Sequence, residues 1–137
     1  MKLSLNRELS EIERIVAARR AYFAKHNLPG SLAYTVDLAT EELFVNMIRH
    51  NNQAREKIIL EFEAVDNGIS VRLTDREITA FDPASAAPAD IATPLEERAV
   101  GGLGLHLVRQ LVGAVHCERR DDRTTLSFLA RKEAAHV

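Results

Sequence analysis

The chain holds a single cysteine, Cys117, no tryptophan, and only five Phe and two Tyr in 137 residues. One thiol excludes an internal disulfide framework and a cysteine-rich zinc site. There is no excess of charge of one sign: 18 Lys and Arg stand against 20 Asp and Glu, a net charge of −2. That balance argues against wholesale binding to a phosphate backbone, whose readers are strongly basic. No segment approaches the roughly 18 uninterrupted apolar residues of a membrane span. The start, Met1-Lys2-Leu3-Ser4-Leu5-Asn6-Arg7-Glu8, has neither the apolar run nor the small-residue cleavage site of a signal peptide, so a cytoplasmic location is expected. Internal repeats and low-complexity tracts are lacking too. What is present is an ordinary globular balance, 46% hydrophobic and 28% charged. A chain of this mass buries about two-thirds of its extended surface, enough for one unstapled core. A single domain over residues 1–137 is expected, with a flexible tail over about 132–137.

Hydrophobic periodicity orders the elements. Leu3 and Leu5 alternate with polar residues, as in a short edge strand. From about Asn6 the period turns helical: Leu9, Ile12, Val16 and Phe23 fall near one stripe, with Arg19, Arg20 and Lys25 in the second half. Pro29-Gly30 stops that helix, and a second helix runs from about Ser31 to His50, ended by Asn51-Asn52. Ile58, Leu60, Phe62 and Ala64 then share one strand face, and Ile69, Val71 and Leu73 alternate with Ser70, Arg72 and Thr74. The Asn67-Gly68 pair between them fits a type I′ hairpin. Residues 79–100 are rich in Ala and Pro with little periodicity, which is read as a surface loop or as a lid over a ligand. A helix over about 103–112 and strands over 114–119 and 124–130 complete the chain. The order β-α-α-β-β-loop-α-β-β predicts an α+β fold, a mostly antiparallel sheet with helices on one face.

Three constellations carry chemistry. Glu42, Asn46 and His50 are four residues apart, so each is turned about 40° from the last and all lie along one helix flank. An amide oxygen there can bind Mg²⁺, and a neighbouring carboxylate can order or deprotonate a nucleophile; the plain alternative is a solvated helix face. Gly101, Gly102 and Gly104 place three glycines within four positions just before an apolar-periodic helix. Backbone N–H groups without side chains can approach an anion closely, and the helix start favours negative charge. Arg98 lies just upstream as a cation for the same anion. The pattern is neither a P-loop nor a dinucleotide fingerprint, because no Gly-Lys-Ser/Thr follows and Leu107 stands where the third glycine would be. Asp75, at the end of the second hairpin strand, can accept from an exocyclic amine such as adenine's, or is an ordinary strand-end carboxylate.

In this order the motifs resemble the GHKL ATPase superfamily, whose ATP-binding (Bergerat) fold is shared by histidine kinases, gyrase and MutL. Glu42-Leu43-Phe44-Val45-Asn46-Met47-Ile48-Arg49-His50 looks like its N box, Thr74-Asp75 with Phe81-Asp82-Pro83 like the G1 region, and Glu97-Arg98-Ala99-Val100-Gly101-Gly102-Leu103-Gly104-Leu105 like the lid end and G2 box. The resemblance spans about residues 3–131 and is nearest to the stand-alone anti-sigma-factor serine/threonine kinases. It implies a two-layer sandwich that binds ATP and Mg²⁺. Asn46 would ligate the Mg²⁺ and Glu42 would be the general base. Asp75 would take the adenine amine, with Thr124 a further candidate at the nucleotide. Gly101, Gly102, Leu103 and Gly104 would wrap the phosphates, with Arg98 near the γ-phosphate.

The implied activity is phosphorylation of a STAS-type anti-sigma-factor antagonist, together with sequestration of a sigma factor, by a homodimer. One departure stands out: the family's Asp-x-Gly is Asp75-Arg76-Glu77 here, and a glutamate does not replace a glycine that must lie against a base. That departure keeps open a non-catalytic partner-switching module, with or without nucleotide. A histidine-kinase ATPase domain stays open only if the chain is a fragment of a longer protein or acts in trans, since the resemblance would require a phosphoacceptor hairpin for which these 137 residues leave no room. Among the remaining residues, His50 reads as structural or second to the site, His106 as solvent-facing, His26, His116 and His136 as lacking metal spacing, and Cys117 as a small buried hydrophobe.

Overall fold

The computed structural model describes residues 1–51, 54–76 and 108–132. The elements are β1 (Lys2–Leu5), α1 (Ile12–His26), α2 (Ala33–His50), β2 (Ile58–Val65), β3 (Gly68–Asp75), β4 (His116–Arg120) and β5 (Arg123–Arg131). Short 3₁₀ turns at Leu9–Glu11 and Gly30–Leu32 lead into the two helices, and residues 108–112 are helical. The strands form one five-stranded sheet in the order β1-β2-β3-β5-β4, and every pairing among the described residues is antiparallel. This is the α+β architecture that the order of elements predicts. No helix among the described residues is long and apolar enough to cross a membrane.

The core lies between one face of the sheet and the two helices. Leu60, Phe62, Val71, Leu73, Leu126 and Phe128 point into it from the strands, and Val36, Ala39, Leu43, Phe44 and Met47 from α2. The opposite sheet face carries Glu61, Arg72, Thr74, Thr125 and Ser127, which accounts for the clean alternation of β2, β3 and β5. Tyr22 ties α1 to β2, its hydroxyl accepting from the Ala64 N–H at 2.8 Å.

Three local details differ from the periodicity reading. The first helix begins at Ile12 rather than Asn6, and its buried stripe is Ile15, Arg19, Tyr22 and Phe23, while Leu9 is 59% exposed. Arg19 enters that stripe because its guanidinium pairs with Asp37 and lies 5.0 Å over the Phe23 ring. α1 ends at His26, three residues before Pro29, and is followed by Asn27 in the left-handed conformation (φ 52°), which lets the Leu28 N–H reach the Phe23 carbonyl at 2.9 Å. The β2–β3 turn is centred on Asp66-Asn67, with only Asn67 at positive φ (62°), so it is not type I′. Gly68 instead opens β3, where it allows the backbone of β5 to pass: a Cβ there would overlap the Ala130 carbonyl oxygen.

Candidate functional site

One end of the sheet carries a transverse row on its core-facing side. Leu5 is opposite Ile58, Ile58 opposite Asp75, Asp75 opposite Thr124, and Thr124 opposite Arg119. Directly opposed residues of antiparallel strands share a face, so this row is apolar at β1 and β2 and polar from β3 to β4. Asp75 is only 4% exposed. A buried carboxylate is tolerated only when it is partnered. Arg7 Nη2 donates to Asp75 Oδ1 in an ion pair, and Asn51 Nδ2 donates to Oδ2 at 3.3 Å.

Arg7 comes from the link between β1 and the first 3₁₀ turn. Its Nε donates to the Glu56 carbonyl at 2.9 Å, and its Nη1 makes a longer contact to the Asn51 carbonyl at 3.4 Å. Asn51 is the residue that closes α2, its own N–H bonded to the Met47 carbonyl at 3.1 Å. Two polar atoms around Asp75 stay unused. Asn51 Oδ1 and Thr124 Oγ1 are both buried and have no hydrogen-bond partner among the described residues. Leaving such a group unpaired costs about 1–3 kcal/mol, so the surroundings of Asp75 suit an additional polar edge.

The other predicted residues of the described part lie on α2. Its buried stripe runs through Val36, Ala39, Thr40, Leu43, Phe44 and Met47, and Glu42 and Asn46 flank it, both half-buried. Asp37 marks the flank that faces α1, because it binds Arg19. Asn46 is nine residues further on, about two and a half turns, which rotates it by about 180° about the helix axis, so its flank is turned from α1. Asn46 and Asn51 are separated by about 7.5 Å along the axis, which puts the amide one and a half turns from the Asp75 cluster. His50 is exposed, and Cys117 is half-buried against the core. Arg98, Gly101, Gly102, Leu103, Gly104, Glu77, His106 and the 79–100 loop lie outside the described residues, as does most of the predicted tail. Thr124 is brought to Asp75 as a strand neighbour.

Two residues that periodicity does not single out, Arg7 and Asn51, complete the Asp75 cluster. Their partners are 68 and 24 residues away, and no spacing in the sequence announces such contacts. Among the described residues no group of three His, Cys, Asp or Glu could hold a metal. A Mg²⁺ beside Asn46 would therefore draw most of its oxygens from a ligand and water, as this ion does at phosphate sites. The half-buried amide and carboxylate fit that use, and so do the unused polar atoms at Asp75; the guanidinium on Asp75 is the feature that a bound base would have to meet. A cleft of about 670 Å³ opens at the other end of the sheet, lined by Ser31, Leu32, Thr35, Leu111, Leu129 and Arg131 among others, and contains none of these residues.

An antiparallel sheet covered on one face by two helices, with buried polar groups gathered beside the last turn of α2, defines a two-layer α+β fold. The sequence profile of the histidine kinase-like ATPase domain matches residues 5–129, and the chain belongs to that family. In fold it is similar to a chain in the crystal structure of the SiaB–SiaC complex from Pseudomonas aeruginosa, with a TM-score of 0.62 over 94% of this chain and 88% of that one, at 15% identity. No curated protein sequence matches the chain.

Proposed function

We propose that this chain binds ATP with Mg²⁺, transfers the γ-phosphoryl group to a serine or threonine of a STAS-type antagonist protein, and sequesters a sigma factor, acting in the cytoplasm as a homodimer. The observation that carries the reading is the pairing of Glu42 and Asn46 on the flank of α2 turned from α1, on the helix whose last residues reach Asp75. Asn46 holds the metal through its amide oxygen. Glu42 accepts the proton of the attacking hydroxyl. Asp75 faces the amine of the base, with Thr124 beside it, and Gly101, Gly102, Leu103, Gly104 and Arg98 surround the phosphates. The bound nucleotide and metal supply the phosphoryl group and neutralise the charge that develops on it. The fold neighbour was solved in a two-protein complex, which suits a domain that works on a protein partner.

The direct test incubates the chain with γ-labelled ATP, Mg²⁺ and a panel of STAS-type proteins from its own organism. Label on a serine or threonine of one of them, lost with Glu42→Gln while ATP still binds, supports the kinase. ATP binding without transfer to any of them contradicts it. The ion pair on Asp75 favours a second reading, a partner-switching module that works without nucleotide. Under that reading the antagonist binds equally well with and without ATP, and Glu42→Gln changes nothing.

A further inference from the structure

The carboxylate that would read the base already has a cationic occupant from the chain itself. Arg7 Nη2 donates to Asp75 Oδ1, and the side chains of Arg7 and Asp75 are 10% and 5% exposed. A hydrogen bond between ionised groups is roughly twice as strong as one between neutral groups, so a neutral exocyclic amine does not displace the guanidinium by itself. Two arrangements would account for the pair: a sealed structural clamp, or a plug in a pocket that also takes another occupant. A sealed clamp would leave its polar atoms satisfied. Here Asn51 Oδ1 and Thr124 Oγ1, on the α2 side and the β5 side of Asp75, are both buried and unpartnered among the described residues. Arg7 itself is not anchored in a helix or strand. It lies in the link after β1, and besides the carboxylate it holds two backbone carbonyls, those of Glu56 and Asn51. Neither carbonyl depends on a side chain, so the link can let go without unpairing a second charged group.

We propose that Arg7 is an internal competitor for the base: the link between β1 and α1 closes the Asp75 pocket, and a nucleotide engages Asp75 only in molecules from which Arg7 has withdrawn. This rests on the nucleotide-binding reading above. The apparent dissociation constant is then the intrinsic one divided by the open fraction, and anything that draws the link away raises nucleotide affinity. By the same linkage a bound nucleotide loosens the link. The Asn6 N–H, bonded to Glu11 Oε2 at 2.7 Å, and the Glu11 N–H, bonded to the Glu8 carbonyl at 3.0 Å, report on that segment.

The experiment titrates ADP with Mg²⁺ into the wild-type chain and Arg7→Gln by calorimetry, and follows hydrogen exchange of the peptide covering residues 5–11 in the wild type with and without ADP. The expected result is ADP affinity at least tenfold tighter in Arg7→Gln, despite a lower melting temperature, and faster exchange of that peptide when ADP binds the wild type. ADP binding to the wild type with unchanged or slower exchange overturns the proposal even if Arg7→Gln does not fold, and so does equal or weaker binding by a folded Arg7→Gln. In both cases the nucleotide reading stands. If neither folded protein binds ADP at millimolar concentration, the nucleotide reading falls and the proposal with it.

Discussion

Arg19 grips Asp37 with two hydrogen bonds, Nε to Oδ1 at 2.8 Å and Nη2 to Oδ2 at 2.9 Å, and so joins α1 to α2 on the flank of α2 opposite Asn46. The fork geometry is one that lysine does not reproduce. The pair fixes one side of the helix, leaving the side with Glu42 and Asn46 for other work.

Asp37→Ala leaves the buried guanidinium of Arg19 without its carboxylate partner. Breaking a fully buried pair costs about 3–5 kcal/mol. Because the Asp37 side chain is 25% exposed, we expect a loss of about 1–3 kcal/mol after allowing for solvent screening, measured by urea unfolding. Nucleotide affinity should not change, since the pair lies about two and a half turns from Asn46 and on the opposite side of the helix.

Gly68→Ala is expected to cost at least about 2 kcal/mol, because the added methyl meets the Ala130 carbonyl of a paired strand, and backbone cannot yield as a flexible side chain does. Asn67→Gly, at a position with φ 62°, should be nearly neutral by the same unfolding assay, as glycine adopts that conformation readily. The contrast separates the close approach at Gly68 from the turn itself.

Glu42→Gln keeps the shape of the side chain and removes its basicity. Phosphotransfer should fall by about 10²–10⁴-fold, the usual contribution of a general base, with ATP binding unchanged; a rapid-quench assay beside an ATP titration reads both. A parallel loss of binding would make Glu42 a binding residue instead.

The alternation of Leu60, Phe62, Val71 and Leu73 made the central hairpin and its buried face legible from sequence, because a strand with one face on the core imposes period two. The position of the turn was not, since Asn67-Gly68 satisfies two demands at once: a positive φ at Asn67 and space for Ala130 at Gly68. Glu42, Asn46 and Asp75 were legible as residue types at set spacings; of α2, it is Asn51 at the end of the helix that reaches Asp75. Arg7, Asn51 and the Arg19–Asp37 pair were hidden, because a charged residue looks solvated until its distant partner is known. Arg19 broke the apolar stripe of α1 for that reason: its burial depends on a carboxylate 18 residues away.

The most direct test of the account is a thermal-shift titration with ATP, with and without Mg²⁺, on the wild type and Asn46→Ala. A ligand that binds only the folded state at a hundredfold excess over Kd stabilises it by about 2.7 kcal/mol, a rise of several degrees for a chain of this length. The account predicts that rise with Mg²⁺ in the wild type and loss of its Mg²⁺-dependent part in Asn46→Ala. No rise at millimolar ATP would contradict it and leave a domain that works through protein partners alone.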